Sequence, residues 1–262
     1  MWKSTLIGKK PELKNPVLIV GLPGIGNVGK VSVDFMIDEL KAVKLYELFS
    51  YSFPHSVFVN EDNLVELPSI EMYYKKMKKN DLLFLAGDVQ PIDEVSCYEF
   101  CDKIIEIFED LGGKQIVTLG GVGLQIVPKK PNIYCTGNSK KVISEYSKGT
   151  AANNKLHGIV GPIIGVSGLI VGMAQKKKIP AVTLLAETFG HPMYLGIKGA
   201  REILKILNKK LGIGINLKDM DKEIRELEEE MMKRTEELTD VKMQTAIKKL
   251  RGKFGEEPSY IG

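Results

Sequence analysis

Arginine is almost absent from this chain of 262 residues: it occurs only at positions 201, 225, 234 and 251, so that 33 of the 37 basic residues are lysines. Proteins that bind nucleic acids commonly use arginine for forked contacts and aromatic side chains for stacking. The lysines here are spread along the chain without interleaved aromatic residues, and we therefore expect no nucleic-acid partner. A surface rich in lysine and glutamate is instead typical of hyperthermophile proteins.

Cysteine is also scarce, with three residues in the whole chain, which is too few for a disulfide framework. Cys97 and Cys101 are one helical turn apart, a spacing that resembles half of a metal site. No histidine or second cysteine pair lies near them in the sequence to complete such a site. We therefore expect buried, reduced cysteines, no metal and a cytoplasmic protein.

The three histidines offer little for catalysis. The Gly-x-Ser-x-Gly and His-Glu-x-x-His motifs of serine hydrolases and zinc proteases are missing. His191 follows Glu187 closely in the sequence and is a candidate general base. His55 and His157 occur in contexts that are more typical of hydrogen-bonded structural histidines.

Long apolar runs are missing as well. The longest, Ile159 to Ala174, contains Pro162 and four glycines and is short for a membrane span. The first residues, Met1 to Thr5, lack the apolar segment of a signal peptide. We expect neither membrane insertion nor secretion.

Glycine is abundant in one place, between the apolar run that begins at Val17 and the helical pattern that follows Lys30. Gly24, Gly26 and Gly29 have the spacing of the dinucleotide-binding fingerprint. Gly24, Gly29 and Lys30 also have the spacing of a triphosphate-binding loop. Both patterns predict a loop between a strand and a helix, where backbone amides would face a phosphate.

Each of these two matches is incomplete. Val31 stands where a triphosphate loop needs the hydroxyl that holds Mg²⁺, and Glu47 lies inside an apolar run instead of at the strand end where it would meet a ribose. Arginine, a usual partner of phosphate groups, is missing from the first 200 residues. The alternative is a tight turn whose glycines supply positive φ and close packing, and the sequence leaves both interpretations open.

Apolar runs alternate with helical patterns along the first 217 residues, which predicts an α/β domain, 1–217, with a mostly parallel sheet. Several of the runs are continuously apolar, as in strands that are buried on both faces. The predicted strands are Val17–Val20, Leu45–Phe49, Ser56–Val59, Val65–Leu67, Leu82–Ala86, Gln115–Leu119, Ile133–Cys135 and Ala181–Leu185. The predicted helices are Asn27–Leu40, Val95–Leu111, Lys140–Lys148, Gly165–Lys176 and Lys198–Lys210.

Glycine clusters recur after these strands, and in a parallel sheet the loops that contain them meet at the carboxyl edge, where ligands bind. This pattern predicts a small-molecule site. Its candidate residues are Gly24, Gly26, Asn27, Gly29, Asp88, Gln90, Glu187, Thr188 and His191.

The composition changes after Asn216. Residues 218–251 are rich in glutamate, lysine and methionine and have a heptad-like apolar spacing, which predicts a C-terminal helical segment that folds back on the domain or on a neighbouring subunit. Residues 252–262 predict a flexible tail. The tail ends in Tyr260, Ile261 and the free carboxylate of Gly262, and this arrangement indicates a docking peptide.

Five motifs in register resemble the archaeal branch of the proteasome assembly chaperone family. They lie at 21–29, 87–91, 118–123, 161–168 and 184–188, and the likeness covers roughly residues 5 to 250. The resemblance implies a three-layer α/β sandwich similar to nucleoside phosphorylases. It also implies an ATP-independent, ring-like homo-oligomer that needs no cofactor and assists assembly instead of catalysing a reaction.

The resemblance also assigns a role to the tail. Family members and other proteasome binders can end with tyrosine as the penultimate residue, and here Tyr260 is third from the end. The expected partners of Tyr260, Ile261 and Gly262 are therefore proteasome core subunits or a related family protein. The alternative function is a nucleoside-phosphorylase-like enzyme or ligand-binding protein that uses the glycine loops.

Overall fold

The structure is a computed structural model that describes residues 2–156, 158, 161–191, 194–218, 221–222 and 225–226. The chain divides into two compact units, Met1–Leu217 and Lys218–Gly262. The predicted helical segment 218–251 lies almost entirely outside the described residues, and the predicted tail 252–262 lies wholly outside them.

The first unit is a mixed α/β fold. Its strands are β1 (Lys3–Leu6), β2 (Val17–Val20), β3 (Val43–Phe49), β4 (Phe58–Val59), β5 (Val65–Glu66), β6 (Ile70–Lys75), β7 (Leu82–Gly87), β8 (Gln115–Leu124), β9 (Ile133–Gly137), β10 (Ala152–Asn153) and β11 (Ala181–Phe189). Its helices are α1 (Val28–Leu40), α2 (Glu94–Asp110), α3 (Lys140–Ser147), α4 (Val166–Lys176) and α5 (Ile197–Leu211), and a 3₁₀ turn covers Ile25–Asn27.

The main sheet has the order β1-β3-β6-β7-β2-β8-β11-β9-β10, and β4 pairs with β5 in a separate hairpin. The four central strands, β7, β2, β8 and β11, are parallel. The pairs β1–β3, β3–β6, β6–β7 and β11–β9 are antiparallel. The prediction of a mostly parallel sheet therefore holds for the four central strands and for the edge pair β9–β10, and it is wrong for the other pairs. The connections β3–β6 and β6–β7 contain no helix among the described residues, and antiparallel neighbours do not require one.

Helices cover both faces of the sheet, which gives three layers. Side chains alternate along each strand, so that Leu18 and Leu83 face the core formed with α2 and α4. Ile19 and Phe84, which are also fully buried, point to the opposite face, where α1 and α5 pack against each other and against β8 and β11. Burial on both faces explains why the central strands are continuous apolar runs.

Helix α2 shows how closely local sequence determines an element. Asp93 precedes the helix, and its carboxylate accepts a hydrogen bond from the backbone N of Ser96 at 2.8 Å, as an N-cap should. The helix ends before Gly112, whose φ of 75° is left-handed. The apolar residues that share one face of this helix are all buried: Cys97, Phe100, Cys101, Ile104, Ile107, Phe108 and Leu111.

Trp2 anchors the start of the chain to this helix. Its indole Nε1 donates a hydrogen bond to the carbonyl of Ser96 at 3.0 Å, and its ring lies 4.5 Å from the ring of Phe100 and 5.4 Å from that of Phe53, between centroids. The indole is 6% exposed. Residues ahead of the first predicted strand therefore belong to the core.

All three cysteines are buried with free thiols, as predicted. Burial raises the pKa of the Cys135 thiol to about 12, although Lys210 acts in the opposite direction. A thiol with such a pKa is inert near neutral pH. Within the part of the chain that the structure describes, no helix is both long and apolar enough to span a bilayer.

Candidate functional site

A cavity of about 350 Å³ lies at the carboxyl ends of β2 and β8. From β2 the chain runs through α1 to β3, on the β7 side of β2, and later it runs from β7 through α2 to β8, on the other side of β2. This is the point where an α/β sheet usually binds ligands. The cavity lies between the glycine loop, the end of β8 and the entry to α4, with Leu22, Gly24, Ile25, Gly29, Gln90, Leu119, Gly121, Ile163, Ile164 and Ser167 among its lining residues.

Two of the three glycines in the fingerprint are required by close packing. A Cβ on Gly29 would lie 2.5 Å from the carbonyl oxygen of Leu119, and one on Gly26 would lie 2.4 Å from Oγ1 of Thr188. Gly26 also has a φ of 60°. Gly24 differs, because no atom would lie within 4 Å of its Cβ. The tight-turn interpretation therefore accounts for Gly26 and Gly29, and only Gly24 is left for a ligand.

Asp88 lies outside the cavity lining and is held by the neighbouring connection. Its carboxylate accepts hydrogen bonds from the backbone N of Ser69 at 3.2 Å and from the Ser69 hydroxyl at 2.9 Å. Lys30, the lysine of the triphosphate-like pattern, lies 3.6 Å from Asp88 and 3.1 Å from Asp34. These carboxylates surround the ammonium group where a phosphate would have to bind.

Glu187 is also engaged away from the cavity. Its carboxylate accepts hydrogen bonds from the backbone and side-chain nitrogens of Asn132 at 3.0 and 2.9 Å and from the hydroxyl of Tyr134 at 2.8 Å. Burial opposes ionisation, but these hydrogen bonds outweigh it and lower the pKa of Glu187 below its ordinary value. The side chain joins β11 to β9 and is built into the sheet.

Asn27 and His191 do not line the cavity either. Asn27 has a left-handed φ of 49° at the start of α1 and makes no side-chain cap there. The ring of His191 stacks on Phe189, with 5.6 Å between centroids and 10° between planes. The structure thus brings together Gly24, Gly29 and Gln90 from the predicted set and places the other predicted polar side chains elsewhere.

Gln90 is the polar side chain that organises the cavity. Its Nε2 donates to the carbonyl of Pro23 at 2.8 Å, and its Oε1 accepts from the backbone N of Val166 at 3.4 Å. The amide therefore links the glycine loop to the first turn of α4. Sequence reasoning missed Ile163, Ile164 and Ser167 as lining residues, although the glycines at 161, 165 and 168 had marked that segment.

The chemistry of the cavity follows from its walls. Among the described residues that line it there is no Asp, Glu, Lys, Arg or His, and aliphatic side chains make up most of this lining. Nowhere in the described ranges do three or more potential metal-ligating side chains form a cluster. Such walls suit an uncharged, apolar group better than a phosphate or a metal-bound substrate.

The chain matches the PAC2 family profile over residues 18–235. It belongs to the PAC2 family. The family relationship that the five motifs indicated is therefore confirmed. The matched region begins in β2 and extends into the second unit.

Two other proteins are similar to this PAC2 chain over most of its length. A protein of Methanocaldococcus jannaschii is 30% identical over 236 residues, which cover 84% of this chain and 87% of that protein. The crystal structure of Pyrococcus furiosus PbaB, an archaeal proteasome activator, is similar with a TM-score of 0.81 and 28% identity, over 89% of this chain and 98% of PbaB.

A third protein shares the fold. Pyrococcus furiosus PbaA, an archaeal homologue of a proteasome-assembly chaperone, has a TM-score of 0.71 and 21% identity, over 97% of this PAC2 chain and 99% of PbaA. The fold predicted from the resemblance thus has solved counterparts of nearly the same length. The further likeness to nucleoside phosphorylases stays a prediction.

Proposed function

We propose that this protein is an ATP-independent assembly chaperone or scaffold that self-associates and binds proteasome core subunits, or a related PAC2 protein, through its C-terminal tail. The observation that carries the proposed link to the proteasome is the similarity to PbaB, an archaeal proteasome activator, over 89% of this chain and 98% of PbaB. Tyr260, Ile261 and the Gly262 carboxylate are the proposed contacts. Several tails in one oligomer would act together, so that a weak single peptide would suffice.

The geometry of the glycine loops supports binding over catalysis. Gly26 and Gly29 serve packing, Lys30 lies among carboxylates, and the described residues of the cavity wall include no charged side chain. An enzyme of the nucleoside-phosphorylase type needs polar groups around phosphate and base. Asn27, Asp88, Glu187 and His191 would have supplied them, but these residues do not line the cavity. This second candidate therefore has the weaker support.

Capture experiments test the tail. The full-length chain, a 1–251 truncation and Tyr260→Ala are immobilised and exposed to a purified archaeal proteasome core particle, and separately to a native archaeal lysate. We expect the truncation to abolish capture and Tyr260→Ala to weaken it at least tenfold, because the aromatic ring would lose its pocket. Phe254→Ala is the matched control, since it removes an aromatic ring of the same segment farther from the terminus.

The outcomes separate the alternatives. Loss of core subunits on truncation supports docking despite the position of Tyr260. Loss of a PAC2 protein from the lysate instead supports the related-protein alternative. Capture that is equal for the full-length chain and for 1–251 shows that the tail hypothesis is wrong.

A further inference from the structure

The exposed apolar side chains of the first unit gather at one edge of the sheet. We call this the carboxyl-edge surface and define it by the connections 21–27, 50–69, 88–98, 125–132 and 161–165. Among the described residues, all large exposed apolar side chains belong to it except Leu6, Ile7 and Val43. Prominent members are Val59, Val65, Leu67, Ile92, Ile126 and Ile164.

The amount of exposure is unusual for a surface that meets only water. Ile164 is 85% exposed and Val65 is 71% exposed. All four strand residues of the β4–β5 hairpin are exposed, although an isolated two-stranded hairpin is at best marginally stable in water. Exposed apolar side chains gathered on one side of a protein in this way mark a site of protein interaction.

Charge divides the same surface into two halves. The connections that follow β3 and β7 contain exposed acids and no lysine or arginine; the acids are Glu61, Asp62, Glu66, Asp93 and Glu94. Lys3, on neighbouring β1, lies over the ring of Tyr51 at 5.3 Å, at the outer margin of this acidic half. The acidic half is therefore negative over most of its extent.

The other half is basic. The connection after β8 carries Lys129 and Lys130, both exposed, and the chain contains no acid between Asp110 and Glu145. The carboxylate of Glu187, on the neighbouring strand β11, already accepts hydrogen bonds from Asn132 and Tyr134. The cavity at β2 and β8 separates the two halves.

We propose that the carboxyl-edge surface binds a second copy of this chain, with the acidic half of one copy on the basic half of the other. The proposal rests on the self-association included in the proposed function and specifies its interface. A surface with both charges at its ends is complementary to itself, which a surface of one sign is not. Apolar contact would supply the free energy, and the charges would set the register of the two copies.

Charge reversal with mixing tests this arrangement on the full-length chain by analytical ultracentrifugation at low salt. Glu61→Lys/Asp62→Lys/Glu66→Lys sets three lysines against the remaining Asp93 and Glu94 and so makes both halves basic, and Lys129→Glu/Lys130→Glu makes both acidic. We expect each variant alone to self-associate at least tenfold more weakly than the natural chain, because like charges would meet. An equimolar mixture of the two should associate again, since opposite charges then meet at both ends.

A charge reversal at the opposite edge of the sheet is the matched control. Lys78→Glu/Lys79→Glu changes the charge there by the same amount and sign as Lys129→Glu/Lys130→Glu, and it should leave association unchanged. Val59→Ser/Val65→Ser should weaken association of the natural chain. If the 1–251 truncation abolishes association, or if the mixture fails to associate, the carboxyl-edge interface is wrong.

The same measurements distinguish a wrong interface from a wrong proposed function. A chain that self-associates while both reversal variants behave like the natural chain keeps its proposed self-association and loses this interface. A chain that stays monomeric at all concentrations loses both. Capture through the tail is measured separately and is decided by the 1–251 truncation.

Discussion

At the scale of single residues, the glycine loop is explained by its neighbours. Gly29 lies in the first turn of α1 where that helix crosses β8, and a Cβ there would meet the backbone of Leu119. A backbone oxygen cannot rotate away as a side chain can. The sequence pattern of a phosphate-binding loop thus arises from the need to bring a helix onto a strand without side chains between them.

We expect Gly29→Ala to lower the free energy of unfolding by about 1–3 kcal/mol, the usual cost of overpacking a buried site. Gly24→Ala is the matched control, because the space around its Cβ is open. Urea unfolding monitored by circular dichroism would measure both. Equal stability of the two variants would contradict the packing role of Gly29.

At the scale of elements, helix ends test how far local sequence determines structure. The hydroxyl of Ser139 accepts a hydrogen bond from the backbone N of Val142 at the start of α3. Ser139→Ala should cost about 0.5–2 kcal/mol of stability, while Ser139→Asp, which retains a capping oxygen, should stay close to the natural chain. The midpoints of thermal unfolding at equal protein concentration would decide; an unchanged midpoint for the alanine variant would show that this cap contributes nothing.

The helices and strands differ in how well the sequence could predict them. The five helices and the central strands were predicted because their apolar patterns are long or continuous. Ser56–Val59 and Val65–Leu67 were predicted as strands and form the short β4–β5 hairpin outside the main sheet. The short strands β1 and β10 were missed because they offer few residues and little apolar signal. β6 was also missed, although Ile70 and Met72 alternate with polar neighbours.

The end of β8 was missed for a different reason. Gly120, Gly121 and Gly123 indicated a loop, but the strand continues through them to Leu124. A Cβ on Gly121 would lie 2.1 Å from the carbonyl oxygen of Ile25, so glycine is required there by the close approach of the first loop. Tertiary contact of this kind leaves no periodic signal in the sequence, and the lining of the cavity could not be predicted in full.

At the scale of the whole molecule, the two candidate functions differ in what should stabilise the protein. A nucleoside, phosphate or nucleotide that binds the folded chain, at a concentration of 100 times its dissociation constant, would add about 2.7 kcal/mol to the free energy of unfolding. We expect no increase in unfolding temperature with any of them, because the part of the cavity wall that the structure describes carries no charged group. A thermal-shift screen would measure this, and a clear increase with one of these compounds would favour the ligand-binding alternative.

The sole tryptophan gives the molecule a built-in optical reporter. Trp2 is the single indole in the chain, and it is packed on Phe100 with its N–H bound to Ser96, at the end of α2 that borders the carboxyl-edge surface. We expect Trp2 to emit as a shielded indole, and we expect its emission to shift to longer wavelength once the first residues detach from the helix. Selective excitation of Trp2 therefore reports, in every variant named above, whether the first residues are packed on α2, and no added label is needed.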